Sequence, residues 1–356
     1  MALLTVDGLQ TEFRGRAGTV RAVDDVSFSV AAGETVALVG ESGCGKSVTA
    51  LSIMGLLPDK TAAIVGGTVT FDGVELTSLS RRKLRSIRGT GMAMVFQDPM
   101  TSLNPSLTIG RQLGESLRHN LGLSKDDART RAAELLAMVG IPEPASRLDA
   151  YPHQFSGGMR QRVMIAIALA CNPRLILADE ITTALDVTIQ AQILDVLRGL
   201  AAELGTAVVL ITHDLGIVAG MADRVNVMYA GQIVESASVD DLFGDPRMPY
   251  TWGLLTSIPR LDQRRGDKLV PIEGTPPDLA APPVGCRFRA RCAYAREICA
   301  TTPPALAPVG RGPDGADAQL ARCWATQDVA GGGWLRDVSW RDAEQHRAEE
   351  LEVAGE

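Results

Sequence analysis

The chain has 356 residues, of which 46% are hydrophobic and 22% charged, which suits a globular protein with one large domain and a smaller one. Its net charge of −7 at pH 7 argues against a nucleic-acid binder. The longest uncharged apolar run, residues 163–171, is far short of the ~20 residues of a spanning helix, and Met1-Ala2-Leu3-Leu4-Thr5-Val6-Asp7 lacks the features of a secretion signal, so a cytosolic protein is expected.

Residues 3–7 and 20–30 read as strands, and Val26-Ser27-Phe28-Ser29-Val30 alternates as a half-buried strand does. Phe13 falls on an expected turn; it suits either plain core packing or an aromatic platform for adenine. The apolar run Thr35–Val39 then leads into Gly40-Glu41-Ser42-Gly43-Cys44-Gly45-Lys46-Ser47, and a helix opens at Val48. This is the spacing of a phosphate-binding loop. Glycines let backbone N–H groups converge on phosphate oxygens, and the helix N-terminus adds partial positive charge. Lys46 would neutralise the β and γ phosphates, and Ser47 would ligate Mg²⁺.

Turn pairs Gly66-Gly67 and Asp72-Gly73 bracket a strand at 68–72, and Met92–Phe96 is a buried strand ending in the polar Gln97-Asp98-Pro99. Residues 108–150 are helical in pattern, with a capping box at Ser124 and Asp127 and a stop at Gly140 and Pro142. The turn Ser156-Gly157-Gly158 precedes a helix over 159–170; it is either a simple cap or a second anion site. Leu175–Asp179 is an apolar strand ending in two carboxylates, where Asp179 would hold Mg²⁺ and Glu180 would orient or deprotonate a water. An amphipathic helix at 188–204 and a buried strand at 207–211 follow, ending in Thr212-His213-Asp214. His213 there either caps the strand or reaches a γ phosphate from its carboxyl end.

Strand and helix alternate through residue 235, which means an α/β fold with a mostly parallel sheet. The expected division is a nucleotide-binding domain over 1–245 with a helical subdomain at about 98–160, then a proline-rich bridge over 246–285. A four-cysteine region over 286–325 and an acidic tail over 326–356 complete it. In a cytosolic chain, six cysteines favour metal, cluster or free thiols over disulfides. The spacing of Cys286, Cys292, Cys299 and Cys323 is not the paired knuckle of structural zinc, and four thiolates suit either zinc or an iron–sulfur cluster. Cys44, in the phosphate loop, and Cys171, at a helix end, stand apart from that set.

The ordered set Gly40–Ser47, Gln97, Ser156-Gly157-Gly158-Met159-Arg160-Gln161, Asp179-Glu180, Ala184-Leu185-Asp186 and His213 resembles the nucleotide-binding subunit of ABC transporters. Residues 96–105, 182–188 and Pro249-Tyr250-Thr251-Trp252-Gly253-Leu254-Leu255, together with the cysteines, resemble the ATPase subunit of oligopeptide/dipeptide importers. The resemblance implies a P-loop NTPase fold of the ABC type with a helical subdomain and a cysteine appendage. It implies a head-to-tail dimer that sandwiches ATP, with Ser156–Gly158 facing the partner's ATP and Asp186 at the seam. Gln97 would contact Mg²⁺ or the attacking water, and Phe13 would become an adenine platform. Two transmembrane permease subunits and an extracytoplasmic solute-binding protein are the implied partners, at the cytoplasmic face of the membrane. The four cysteines would carry a [4Fe–4S] cluster, with zinc as the runner-up. The competing expectation is a soluble, non-transport ABC ATPase acting on nucleic acid or ribosomes. One departure stands out: the family has Pro after the catalytic Glu, where this chain has Ile181, leaving the stiffness of that loop to other forces.

Overall fold

The computed structural model describes residues 2–15, 18–183, 186–257, 271–309, 319–327, 332–336 and 338–341. Ala184-Leu185 and the acidic stretch at 342–356 lie outside the described residues.

The alternating N-terminal segment forms a long hairpin. β1 (Ala2–Gly15) and β2 (Gly18–Ala31) pair antiparallel, and Gly15 lies opposite Gly18 at the tip. Phe13 therefore sits within β1, opposite Val20 and Ala62, and not on a turn: the reversal comes two residues later, at the glycines. After β3 (Thr35–Val39) and α1 (Lys46–Met54), β4 (Ala62–Phe71) and β5 (Val74–Glu75) complete a four-stranded antiparallel sheet in the order β2-β1-β4-β5. β4 begins six residues before the expected strand, because it runs alongside β1 as far as Phe13.

The second sheet holds the buried strands. Past α2 (Arg81–Ile87) and β6 (Met92–Val95), a helical lobe is built from α3 (Pro99–Ser102), α4 (Ile109–Leu121), α5 (Lys125–Met138), α6 (Pro144–Arg147) and α7 (Gly157–Leu169). α5 starts at the expected box, where Ser124 Oγ accepts from Asp127 N at 3.2 Å. Apolar faces of α4, α5 and α7 meet through Leu113, Leu117, Leu135 and Val163, all at most 2% exposed. β7 (Leu175–Asp179), α8 (Val187–Leu204), β8 (Ala207–Thr212), α9 (Leu215–Met221), β9 (Arg224–Tyr229) and β10 (Gln232–Ser238) follow. β6, β7, β8, β3 and β9 are parallel neighbours, and β7 and β8 are buried on both faces, as covered parallel strands must be. β10 turns back antiparallel on β9.

The C-terminal part joins this sheet. α10 (Val239–Gly244) leads to α11 (Pro249–Thr256), so the proline-rich stretch contains a helix, with Pro249 supplying its first turn. Beyond α12 (Ile298–Thr301), β11 (Ala307–Pro308) pairs with β12 (Leu320–Ala321), and β12 pairs with β10 at Glu235 and Ser236. Tyr229, Val225 and Val234 of the sheet share one apolar core with Trp252, Tyr250, Phe288 and Leu335. Arginines fasten the join: Arg287 pairs with Asp24, and Arg322 reaches Asp25 at 3.1 Å.

Candidate functional site

The glycine loop lies between β3 and α1, at the carboxyl ends of the parallel strands, where ligands bind in such sheets. Two glycines there are obligatory. A Cβ on Gly40 (φ +149°) would stand 2.1 Å from Met228 O, and one on Gly45 (φ +108°) would stand 2.5 Å from Ala22 O. α1 starts from Gly45 with no side-chain cap, in contrast to α7, α8 and α9, which Ser156, Asp186 and Asp214 cap. Its first N–H groups are therefore left for a ligand, and an anion suits them.

Charged and polar side chains converge in front of this loop. Lys46 is 4% exposed, and its Nζ donates to Gly40 O at 2.7 Å and Glu41 O at 3.0 Å. The Ser47 hydroxyl donates to Asp179 Oδ1 at 2.8 Å, so the strand-end carboxylate and the loop hydroxyl stand where one divalent cation could bridge them. Burial pushes the Asp179 carboxyl up from its ordinary range, while the Ser47 hydrogen bond opposes that rise. A bound cation would favour the ionised form.

Glu180 is the hub of the arrangement. Its Oε2 accepts from Gln97 Nε2 at 2.8 Å, while its Oε1 stands 3.8 Å from Lys46 Nζ and 3.5 Å from His213 Nδ1. Three elements deliver these groups: the end of β6, the start of α1 and the end of β8. The Glu180 backbone is left-handed (φ +45°), unusual for a side-chain-bearing residue. Its N–H still donates to Ile211 O at 2.9 Å. Ile181 is 2% exposed within the apolar core, so packing holds the loop where the family uses a ring.

The other expected residues are arranged as follows. Ser156 is the N-cap of α7, accepting from Met159 N at 3.3 Å, and Gly157 and Gly158 are already helical instead of forming a turn ahead of the helix. The capping hydroxyl starts the helix two residues earlier than periodicity indicates. Asp186 caps α8, with its Oδ1 accepting from Ile189 N at 2.9 Å. Phe13 lies half-buried on β1.

Two contacts to the loop were not foreseen. Glu41 N donates to Tyr250 Oη at 2.9 Å, and both carboxylate oxygens of Glu41 accept from Arg291, at 2.6 and 2.9 Å. Nothing local in the sequence marks Arg291; Tyr250 was visible only as part of a family-like stretch.

Cys286, Cys292, Cys299 and Cys323 line one small cavity of about 20 Å³, walled by Phe288, Trp324 and Trp334. Burial pushes the Cys323 thiol up to about 12, and Cys292 and Cys286 add to the rise. Among the described residues, no group of three or more His, Cys, Asp or Glu has the arrangement of a metal-ion site. Cys44 and Cys171 are elsewhere: Cys44 Sγ lies 3.8 Å from Lys46 Nζ, and Cys171 Sγ lies 3.6 Å from Ser116 Oγ.

Comparison with known proteins agrees with this geometry. The ABC transporter family profile matches residues 23–183, and the profile of the oligopeptide/dipeptide transporter C-terminal region matches residues 234–299. The chain is 54% identical over 297 residues to the dipeptide transport ATP-binding protein DppD of Bacillus subtilis, covering 83% of this chain and 88% of that protein. It is 52% identical to the oligopeptide transport ATP-binding protein OppD of the same organism, covering 83% of each. Among solved structures, the dimeric ATP-binding cassette MJ0796 in a post-hydrolysis state with ADP and Pi superposes with a TM-score of 0.60 at 30% identity, covering 66% of this chain and 98% of that one.

Proposed function

This chain belongs to the ABC transporter family of ATPases, and we propose that it energises the import of peptides or a related small solute. The observation that carries the reading is Glu180: one carboxylate reached by Lys46, Gln97 and His213, one residue beyond the Asp179–Ser47 pair. In-line attack of water on the γ phosphate needs little covalent help from the protein. Glu180 accepts the water's proton or orients it, Gln97 and His213 hold Glu180 and report on the γ phosphate, and Lys46 neutralises charge on the β and γ oxygens. Ser47 and Asp179 would hold Mg²⁺, which shields the phosphate oxygens when bound. Phe13 is the proposed adenine contact.

Ser156–Gly158 stand at the N-terminus of α7, where they would face ATP held by a second ATPase subunit, with Asp186 at the seam. Two permease subunits and an extracytoplasmic binding protein complete the assembly, which places the chain on the cytoplasmic membrane face. No helix of the described residues is long and apolar enough to cross a membrane. The rival reading, a non-transport ATPase on nucleic acid or ribosomes, has the net charge of −7 and the matched C-terminal region against it. The test is affinity isolation of the tagged chain from detergent-solubilised membranes. Permease subunits and peptide-stimulated ATPase activity in the isolate are expected; ribosomes or nucleic acid instead of permeases would overturn the transport role.

The four cysteines supply a soft donor set that suits a [4Fe–4S] cluster, with zinc as the runner-up. The role is structural, stapling a segment with little core of its own. Anaerobic purification with iron, sulfide and zinc analysis decides: about four irons per chain supports the cluster, one zinc the clip, and a metal-free folded chain plain thiols.

A further inference from the structure

We propose that Arg291 neutralises the acidic residue of the phosphate loop, Glu41, and so makes the loop fit to receive a polyphosphate. An acid in such a loop is a difficulty. Glu41 lines, with Gly40, Ser42, Glu180 and His213, the cavity of about 620 Å³ in front of the loop. A nucleotide triphosphate carries several negative charges, and an unpaired carboxylate beside it would repel them. The structure places one guanidinium against that carboxylate. Arg291 Nη1 donates to Glu41 Oε2 at 2.6 Å and Nη2 to Oε1 at 2.9 Å, the two-pronged geometry of the strongest such pairs.

The guanidinium is held independently of its partner. Nε donates to Glu273 O at 2.9 Å, Nη2 to Ile272 O at 3.1 Å and Nη1 to Tyr229 Oη at 3.4 Å. It also stacks 5.8 Å from the centre of the Tyr229 ring and 6.0 Å from that of Phe288. The Arg291 side chain is 4% exposed against 27% for Glu41, so the cation lies behind the carboxylate and the carboxylate faces the cavity. Tyr250 fixes the same residue from its backbone side. Arg291 comes from the C-terminal region, next to Cys292, so the ATP site borrows a positioning residue from outside the ATPase part of the chain.

The proposal rests on ATP occupying this loop. The experiment titrates the full-length chain with Mg²⁺ and a non-hydrolysable ATP analogue, comparing wild type, R291Q, E41Q and R291Q/E41Q. Local charge at the pair is neutral, negative, positive and neutral in that order. R291Q should bind roughly tenfold more weakly, with a deficit that shrinks as salt rises. The double variant should return to within about threefold of wild type, and E41Q should bind at least as tightly as wild type. A scaffold role for Arg291 would leave the double variant as weak as R291Q, and that result overturns the proposal, as does R291Q binding like wild type. If R291Q fails to fold, E41Q still decides, since weaker binding by E41Q refutes neutralisation. A wild type that binds no analogue would instead defeat the ATP reading itself.

Discussion

Glu235 gives the structure a pH-dependent joint. It is fully buried on β10, where its carboxylate accepts from Arg247 N at 2.5 Å, Met248 N at 3.2 Å and Gln319 Nε2 at 2.9 Å. These bonds tie the sheet to the entry of α11 and to the residue before β12. Burial outweighs the donors and raises the Glu235 pKa from 4.5 to about 7. A raised carboxyl pKa means that the folded chain binds the proton more tightly than the unfolded one. The stability from this proton is fully present below pH 4.5 and is lost as pH climbs through 7. At 1.36 kcal/mol per unit, the loss comes to about 3 kcal/mol. Glutamine at this position is shorter of one acceptor and should lower stability outright, but it cannot titrate. The assay is the thermal midpoint of wild type and E235Q, side by side from pH 4.5 to 8. Between those limits the wild-type midpoint should fall relative to the variant by roughly 5 °C. Parallel curves would refute the reasoning, because they would mean that Glu235 titrates alike in folded and unfolded chains.

At the site itself, E180Q should keep nucleotide binding and lose at least ~100-fold in turnover, since a positioned base contributes about that much; near-wild-type hydrolysis would remove Glu180 from the role of base. K46A should weaken nucleotide binding at least ~10-fold, because Lys46 meets phosphate already in the ground state; an unchanged titration curve would count against it. The isolated chain should be a poor ATPase that speeds up on adding its partner and membrane subunits, and full activity in a strictly monomeric preparation would exclude a composite site. Cys292→Ser should lower bound metal while Cys171→Ser leaves it unchanged, as read by elemental analysis.

Much of this was legible in the sequence because the signals are local. The phosphate loop is a run of eight residues, and the strand–carboxylate and strand–histidine ends announce themselves by an apolar run that stops at a polar group. Phe13 was misplaced because a glycine turn and the strand before it share one short window, and only cross-strand pairing shows which residue reverses. The Glu41–Arg291 pair was invisible for another reason: its members lie 250 positions apart, and neither is unusual where it stands. The left-handed Glu180 was hidden too, since side-chain-bearing residues carry no mark of positive φ. The C-terminal region read as a separate appendage because composition changes at its boundary, while composition says nothing of the two-residue strand that returns to β10.

That returning strand bears on how the chain is made. β12 closes against β10, and Trp252, Tyr250 and Phe288 cover the apolar side of the sheet around Tyr229. During synthesis, residues up to 245 emerge with the whole phosphate loop and both carboxylates, and α9 and α10 pack on β9 and β10, yet the apolar surface around Tyr229 that Trp252, Tyr250 and Phe288 cover is still exposed. An open strand edge beside bare apolar surface is an invitation to pair with another chain. The nascent ATPase part is thus finished only when the last cysteine segment arrives. A translation stop or protease cut between 245 and 319 should yield aggregate in place of a smaller working ATPase.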